Sequence, residues 1–446
     1  MLKALSLAEL LRLGPYQAYS YSYPHKSAYR PLAQPQPLDA LWSREDRSAL
    51  FGYIHVPFCT MRCGFCNLFA MARPDDALVD AYVAALLRQM QALHEALGER
   101  RFARFALGGG TPSYLSAPQL ERLLEAAARV LGIDLQAVPS GIEVSPETAS
   151  AERLAVCRAH GVQRVSLGVQ SFAEHEVQQA LARPQQNEVV RGAIERVRRA
   201  GFPLLNLDLI YGIAGQTLAS WRASLDSALA FAPEELYLYP LYVREYTGLG
   251  KLAIRRAGPE ADAREALYQA ARERLLDAGY RQVSMRMFRA PWAPADGGPV
   301  YCCQNDGMVG LGAGARSYTS GLHYSGGYAV ERGATRAIVE AYVAQDTVAF
   351  AQAWHGFVLD ADEQRRRFVI QSLLTEPGLS HAAYTQRFGS RCGDDLPQLA
   401  ELSALELADD DGQLLRLNAR GVARSDTIGP WLASPHVRQL MEEPRC

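Results

Sequence analysis

Two hydrophobic periods alternate along this chain. Short runs in which nearly every residue is apolar give way to longer stretches in which apolar residues return every three or four positions. The first pattern predicts strands buried on both faces, the second amphipathic helices. In order, "LFGYIHVPF" (50–58) predicts a strand and "ALVDAYVAALLRQMQALHEALG" (77–98) a long helix. "RFARFALGGG" (101–110) is a strand and "SAPQLERLLEAAARVLG" (116–132) a helix. In that helix Ser116 is the expected N-cap, with Pro118 in the first turn and Gln119 reaching back to complete a capping box. Leu120, Leu123, Leu124, Ala127 and Leu131 form its apolar stripe. The alternation repeats as "SGIEVSPE" with a helix over 149–160, "RVSLGVQSF" with a helix over 188–200, and "PLLNLDLIYG" with a helix over 218–230. "ELYLYPLYV" (235–243) is a sixth strand.

Six such units predict an α/β fold, a partial (β/α)6 TIM-like barrel. Glycine and polar residues gather at the C-terminal strand ends, in "GGGTP", "EVSPE", "GVQSF" and "DLIYG". Barrels of this kind keep their active sites there. Residues 1–48 read as a Tyr/Pro-rich N-terminal extension, irregular apart from a short amphipathic helix in "LSLAELLRLG". Beyond the sixth strand, a helix over 262–278 precedes "RQVSMRMF" and "GMVGLGAGARSY", both strand-like. The C-terminal part predicts helices over 362–374, 381–388 and 395–405, then a hairpin turning at Asp409–Gly412. This is a small winged-helix-like α+β module. It carries more Asp and Glu than Arg, so a packing or lid role is favoured over DNA binding. The expected domains are 1–48, 49–330 and 331–446.

Composition narrows the function. The 446 residues carry a formal net charge of −2, which gives no reason to expect nucleic acid or an acidic membrane surface as partner. No segment reaches the roughly 18 consecutive apolar residues of a membrane span, and no secretory leader is read at the start. The expectation is a soluble cytoplasmic monomer. Eight cysteines make no disulfide framework, yet three crowd into "CTMRCGFCN" and two more, Cys302 and Cys303, are adjacent. In a reducing compartment such clusters are ligands or redox groups.

Cys59, Cys63 and Cys66 follow the first strand with Cys-x3-Cys-x2-Cys spacing. A structural zinc site uses four ligands, commonly in two separated pairs, and no second pair exists in this chain. Closely spaced soft thiolates suit iron–sulfur. A cubane held by three cysteines leaves one iron open to a small molecule.

The spacing, after "YIHVPF" and with an aromatic before the third cysteine, resembles the radical S-adenosylmethionine (SAM) superfamily. The chain is similar, more narrowly, to the oxygen-independent coproporphyrinogen III oxidase family, through "LGGGTPSYL", "EVSPE", "RVSLGVQSF", "NLDLIYGIAGQT", "GLGAGARSY" and "LNARGVARSDTIGPWL". This resemblance covers roughly 50–446. It implies that the scaffold is a radical SAM barrel and that Cys59, Cys63 and Cys66 ligate a [4Fe–4S] cluster whose open iron takes S-adenosyl-L-methionine. Reductive cleavage of SAM would give a 5′-deoxyadenosyl radical that abstracts hydrogen from an organic substrate. It further implies that Tyr53, Gly109, Gly110, Thr111, Glu143, Gln170, Arg183 and Asp208 hold SAM. The residue types suit those roles. Glycine lets backbone approach a ligand closely, a carboxylate accepts from ribose hydroxyls, and Arg pairs with a carboxylate. Taken singly, the glycines could form only a tight turn, Glu143 and Asp208 could cap strand ends, and Gln170 could be a polar core residue. His55 reads equally well as a structural histidine. Tyr237, Tyr239 and Tyr242 read as core.

Two departures from the family's pattern leave the reaction open. Leu68 stands where the oxidases carry a further cysteine. Gln304 and Asn305, in "CCQNDGMVGLG", stand where the haem-chaperone branch carries its His-Asn-x-x-Tyr-Trp motif. The first expectation is therefore a radical SAM oxidoreductase resembling coproporphyrinogen dehydrogenase, with oxidative decarboxylation as one outcome. The alternatives are a radical methyltransferase using two SAM molecules and a haem-binding chaperone without catalysis. The implied partners are a small-molecule, porphyrinogen-like substrate and a reductant such as flavodoxin or ferredoxin. Cys302 and Cys303 are candidate catalytic residues, as donors to a substrate radical.

Overall fold

The computed structural model describes residues 5–20, 22–244, 247–253, 262–295 and 307–443. Six parallel strands lie side by side in chain order: β1 (Leu50–Val56), β2 (Phe102–Gly109), β3 (Ser140–Val144), β4 (Arg164–Gln170), β5 (Leu204–Tyr211) and β6 (Glu235–Pro240). The helices between them are α1 (Asp76–Leu97), α2 (Ala117–Arg129), α3 (Ala151–Ala159), α4 (Asn187–Arg199) and α5 (Leu218–Leu229), with α6 (Arg264–Asp277) after the sixth strand. This is the partial (β/α)6 barrel.

Local chemistry sets the element ends. At α2 the Ser116 Oγ accepts from the Gln119 N–H at 3.4 Å, and Gln119 Oε1 accepts from the Ser116 N–H at 2.9 Å. Leu120, Leu123, Leu124 and Ala127 are fully buried, as the stripe predicts. On β1, Ile54 and Val56 turn outward into the layer beneath the helices, while Phe51 and Tyr53 turn inward against Met308 and Tyr318.

The sheet is larger than six strands. Met308–Leu311 pairs in parallel with β1, on the side away from β2. Arg316–Tyr318, Leu322–Ser325, Gln352–Val358 and Arg30–Pro37 then continue it antiparallel, and Met287–Arg289 and Arg281–Gln282 extend the β6 edge, giving 13 strands. Two expectations are corrected here. Residues 1–48 are not irregular throughout, because Arg30–Pro37 is a strand. Neither "RQVSMRMF" nor "GMVGLGAGARSY" is one strand: each holds two short strands that fold back on each other, with Val283–Arg286 and Gly312–Ala315 between them.

The C-terminal module is winged-helix-like. Ala361–Leu373, His381–Phe388, Cys392–Asp395 and Ala400–Ala404 are its helices, the helix expected over 395–405 being a single 3-10 turn (Pro397–Leu399) followed by the short Ala400–Ala404. Leu379–Ser380, Leu414–Leu417 and Ala408–Asp410 form its three-stranded sheet. The sequence reading did not extend to the helices beyond it, Ser425–Leu432 and Pro435–Glu442. The Tyr-rich arm lies between Ser425–Leu432 and the barrel. Thr427 Oγ1 donates to the Gly14 carbonyl at 3.2 Å, and the Ala18 N–H donates to the Asp426 carbonyl at 3.0 Å. Among the described residues no helix is long and apolar enough to cross a membrane.

Candidate active site at the barrel mouth

The loop after β1 is fixed at both ends. Phe58–Cys59 pairs in parallel with Met71–Ala72, and the Arg73 N–H donates to the Cys59 carbonyl at 2.9 Å. Between them, the Gly64 N–H donates to the Leu181 carbonyl at 2.9 Å, and the Leu249 N–H to the Gly64 carbonyl at 2.8 Å. Cys59, Cys63 and Cys66 therefore share one loop at the mouth, each half-buried. Burial pushes the Cys59 thiol up to about 12 and the Cys63 thiol up to about 11, and raises Cys66 as well. Thiols that resist ionisation when empty lose their protons when a metal binds.

β2 ends directly beneath that loop. A Cβ on Gly110 would stand 2.9 Å from Cys59 Sγ and 2.9 Å from the Phe58 carbonyl oxygen. Gly109 has φ +125°, and a Cβ there would meet the Val56 carbonyl oxygen at 2.7 Å. Only glycine suits either position. Thr111 Oγ1 lies 3.4 Å from Cys59 Sγ.

The inward positions of the next strands carry the other polar residues. The Gly109 N–H donates to Glu143 Oε2 at 3.0 Å. A Cβ on Gly108 would lie 2.7 Å from the Tyr53 hydroxyl and 3.2 Å from Glu143 Cδ, so Tyr53 and Glu143 flank the same backbone. The Glu143 side chain is exposed, and its carboxyl, set among the strand ends and facing Asp208, is raised to about 7, chiefly by desolvation. Asp208 is also raised by burial, partly offset by its hydrogen bonds from Asn206 (2.8 Å) and Ser166 (3.0 Å). Gln170 and Arg183 approach each other over Gly168, whose Cβ would sit 2.9 Å from Gln170 Nε2 and 3.8 Å from Arg183 Nη1. Arg183 is buried and pairs with Glu147 at 3.5 Å.

His55 is buried, with Nε2 3.1 Å from the Phe69 carbonyl oxygen and Nδ1 3.4 Å from the Tyr53 hydroxyl. Burial lowers it to about 4, so it is neutral. Tyr237 and Tyr239 are half-buried rather than core, with stacked rings 6.0 Å apart, and Tyr19 of the arm packs edge-on to Tyr239 at 6.3 Å. Tyr242 lies past β6 and donates to Asp426 at 2.6 Å. Leu68 is exposed. Cys302, Cys303, Gln304 and Asn305 lie outside the described residues.

Sequence reasoning missed Ser166 and Asn206, which hold Asp208. Their signal is polar residues at alternate positions of otherwise apolar strands. It also missed the backbone of Gln170, which has φ +70° at a register shift against β5. A non-glycine residue there stores strain, as functional positions often do.

The arrangement fits an iron–sulfur group with a small ligand, given three thiols on one loop and a glycine cradle that any side chain would fill. Among the described residues no three His, Cys, Asp or Glu side chains gather as a mononuclear ion needs. A cubane places each thiolate on a different iron and requires no such point.

Comparison with known proteins agrees with the fold and motifs. The radical SAM superfamily model matches residues 53–228, and the HemN C-terminal domain model matches 359–424. The heme chaperone HemW of Lactococcus lactis is 31% identical over 277 residues, covering 61% of this chain and 70% of that protein. The oxygen-independent coproporphyrinogen III oxidase of Pseudomonas aeruginosa is 29% identical over 437 residues, covering 91% of this chain and 90% of that protein. The solved structure of the Escherichia coli coproporphyrinogen III oxidase, HemN, a radical SAM enzyme, shares the fold, with a TM-score of 0.78 over 93% of this chain and 97% of that one at 24% identity. The chain belongs to the radical SAM superfamily and, within it, to the oxygen-independent coproporphyrinogen III oxidase-like family. Membership implies a [4Fe–4S] cluster and SAM.

Proposed function

We propose that this protein is a radical SAM oxidoreductase that abstracts hydrogen from a porphyrinogen-like substrate, with oxidative decarboxylation of a propionate as the outcome. The observation that carries the reading is the placement of the three-cysteine loop directly over Gly109–Thr111, with Glu143, Gln170 and Asp208 around the same opening. Cys59, Cys63 and Cys66 would hold the [4Fe–4S] cluster. When bound, cluster and SAM supply the 5′-deoxyadenosyl radical.

The chain's own residues do the rest. The glycine segment lets backbone carbonyls approach the methionine amino group of SAM without steric conflict. Arg183, buried and charged, suits the methionine carboxylate. Asp208, braced by Asn206 and Ser166, suits the ribose hydroxyls. Tyr53 and Glu143 flank the Gly108 backbone, and Gln170 lies beside Arg183 over Gly168. The Tyr19–Tyr239–Tyr237 group lines the β6 side, where a flat macrocycle would find aromatic faces. In this reading 1–48 is the covering arm, 49–330 the barrel and 331–446 the C-terminal domain, and a flavodoxin or ferredoxin supplies the electron.

The test is anaerobic reconstitution with iron and sulfide, then dithionite, SAM and coproporphyrinogen III. The expected products are 5′-deoxyadenosine, methionine and a decarboxylated porphyrinogen. Cys63→Ser should remove the visible iron–sulfur absorbance and reduce 5′-deoxyadenosine at least about a hundredfold. If wild type forms no 5′-deoxyadenosine, the reading fails. S-adenosylhomocysteine formed beside 5′-deoxyadenosine would redirect it to methyl transfer.

The 31% identity to heme chaperones supports a second reading, haem carriage without turnover. Stoichiometric haem binding, with no 5′-deoxyadenosine formed, would favour it.

A further inference from the structure

Far from the barrel mouth, the winged-helix-like module holds a second cysteine-centred group. Its three members come from three different elements. His381 begins the helix His381–Phe388, Cys392 opens the short helix Cys392–Asp395, and Asp410 ends the strand Ala408–Asp410. His381 Nδ1 lies 3.3 Å from Cys392 Sγ, and His381 Nε2 lies 2.9 Å from Asp410 Oδ1. The imidazole thus bridges a thiol and a carboxylate through its two nitrogens. With Nε2 protonated and donating to Asp410, Nδ1 is left as an acceptor facing the thiol. Asp410 Oδ1 is itself held, accepting from the Gly412 N–H at 2.9 Å.

That order of groups, thiol to imidazole to carboxylate, is the arrangement that activates a cysteine. A packing role alone would not need both ring nitrogens engaged in this order. Cys392 itself is 4% exposed and lies in the hydrophobic core of the module, and burial raises its thiol, so a reagent approaches it by way of His381 and Asp410, whose side chains are 29% and 41% exposed. Cys157, on α3, is a natural control. It is 1% exposed and packs within the hydrophobic core of the barrel.

We propose that Cys392 is a nucleophilic thiol that exchanges with low-molecular-weight disulfides, with His381 as its proton acceptor and Asp410 as the residue that positions His381. In the exchange, Cys392 Sγ gives its proton to His381 Nδ1 and attacks one sulfur of the disulfide. A bond forms between Cys392 and that sulfur, the original S–S bond breaks, and the departing thiolate takes the proton back from His381. Thiol and disulfide are interchanged, the small disulfide being the oxidant. The charged and titratable groups facing Cys392 and His381 are Asp410 and Asp411 from the hairpin, Arg391 beside the cysteine, and Tyr384 from the helix that His381 begins. The site is independent of the radical chemistry proposed above.

The experiment treats the anaerobic, full-length protein with oxidised glutathione and follows each cysteine by peptide mass spectrometry. Cys392 is expected to form the mixed disulfide about tenfold or more faster than Cys157. His381→Ala and Asp410→Asn should each bring Cys392 close to the Cys157 rate. In Asp410→Asn the pH at which Cys392 becomes reactive should also shift, because Asp410 fixes the tautomer of the imidazole that takes the thiol's proton and its charge also acts on the thiol. A change in packing alone would not produce that shift. Equal rates at Cys392 and Cys157, or a pH profile in Asp410→Asn that superimposes on wild type, would overturn the proposal. If His381→Ala unfolds the module, Cys392 reacts faster rather than slower and Asp410→Asn decides the matter.

Discussion

A carboxyl group set among strand ends and close to a second carboxylate gives up its proton with difficulty. Glu143 is in that position, and burial lifts its carboxyl from the usual 4.5 to about 7. In the unfolded chain it ionises near its ordinary value. Between about pH 4.5 and 7 the folded state therefore binds more protons than the unfolded one, and this group's contribution to stability falls as pH rises through that window. We expect the stability of the ligand-free protein, relative to Glu143→Gln, to decline from pH 5 to pH 8. Urea melts of both proteins at the two values measure it, and parallel pH dependence would show that Glu143 is hydrated as in free solution. At this scale the sequence is readable where chemistry is local. Asp208 is legible; Ser166 and Asn206 carry the same signal, polar residues at alternate positions of apolar strands, but their role as its braces needs the neighbouring strand. The left-handed backbone of Gln170 does not show, because it arises from a register shift against Leu209, some 40 residues away.

The elements that the sequence conceals are those whose reason for existing lies in a distant partner. Arg30–Pro37 contains prolines at 31, 35 and 37, which read as a loop. It is a strand because it sits at the sheet edge against Gln352–Val358, where proline's missing N–H costs little. The long helices and the six parallel strands, by contrast, carry their reasons in their own periodicity. A second distant partnership holds the arm. Arg286, 5% exposed, pairs with Asp426, 1% exposed, at 2.5 Å, and its guanidinium lies 3.7 Å from the centre of the Tyr19 ring. Removing one member of such a pair leaves a buried charge uncompensated. Asp426→Asn is expected to destabilise the protein by roughly 3 kcal/mol, whereas Arg286→Met/Asp426→Leu should recover much of the loss. Denaturant melts of the three proteins test this, and an Asp426→Asn cost below about 1 kcal/mol would contradict it.

Over the whole molecule, the strand that launches the cysteine loop lies inside the sheet, not at its edge. Its neighbours are β2, which begins about 50 residues after it, and Met308–Leu311, which pairs with Phe51–Ile54 from more than 250 residues away. A nascent chain therefore lacks the second neighbour of β1 until about two-thirds of it has been made. Contacts of such separation form late. A chain ending at residue 300 is expected to leave Cys59, Cys63 and Cys66 about as open to a pulse of maleimide as the urea-unfolded protein, while the full chain protects them. Equal protection in the two chains would mean that β2 alone shapes the loop. If protection depends on the late strand, metal delivery is ordered in time, because an iron–sulfur donor arriving during translation meets an unfinished receptor. The cell must then load this protein only after Met308–Leu311 has been made and has joined the sheet.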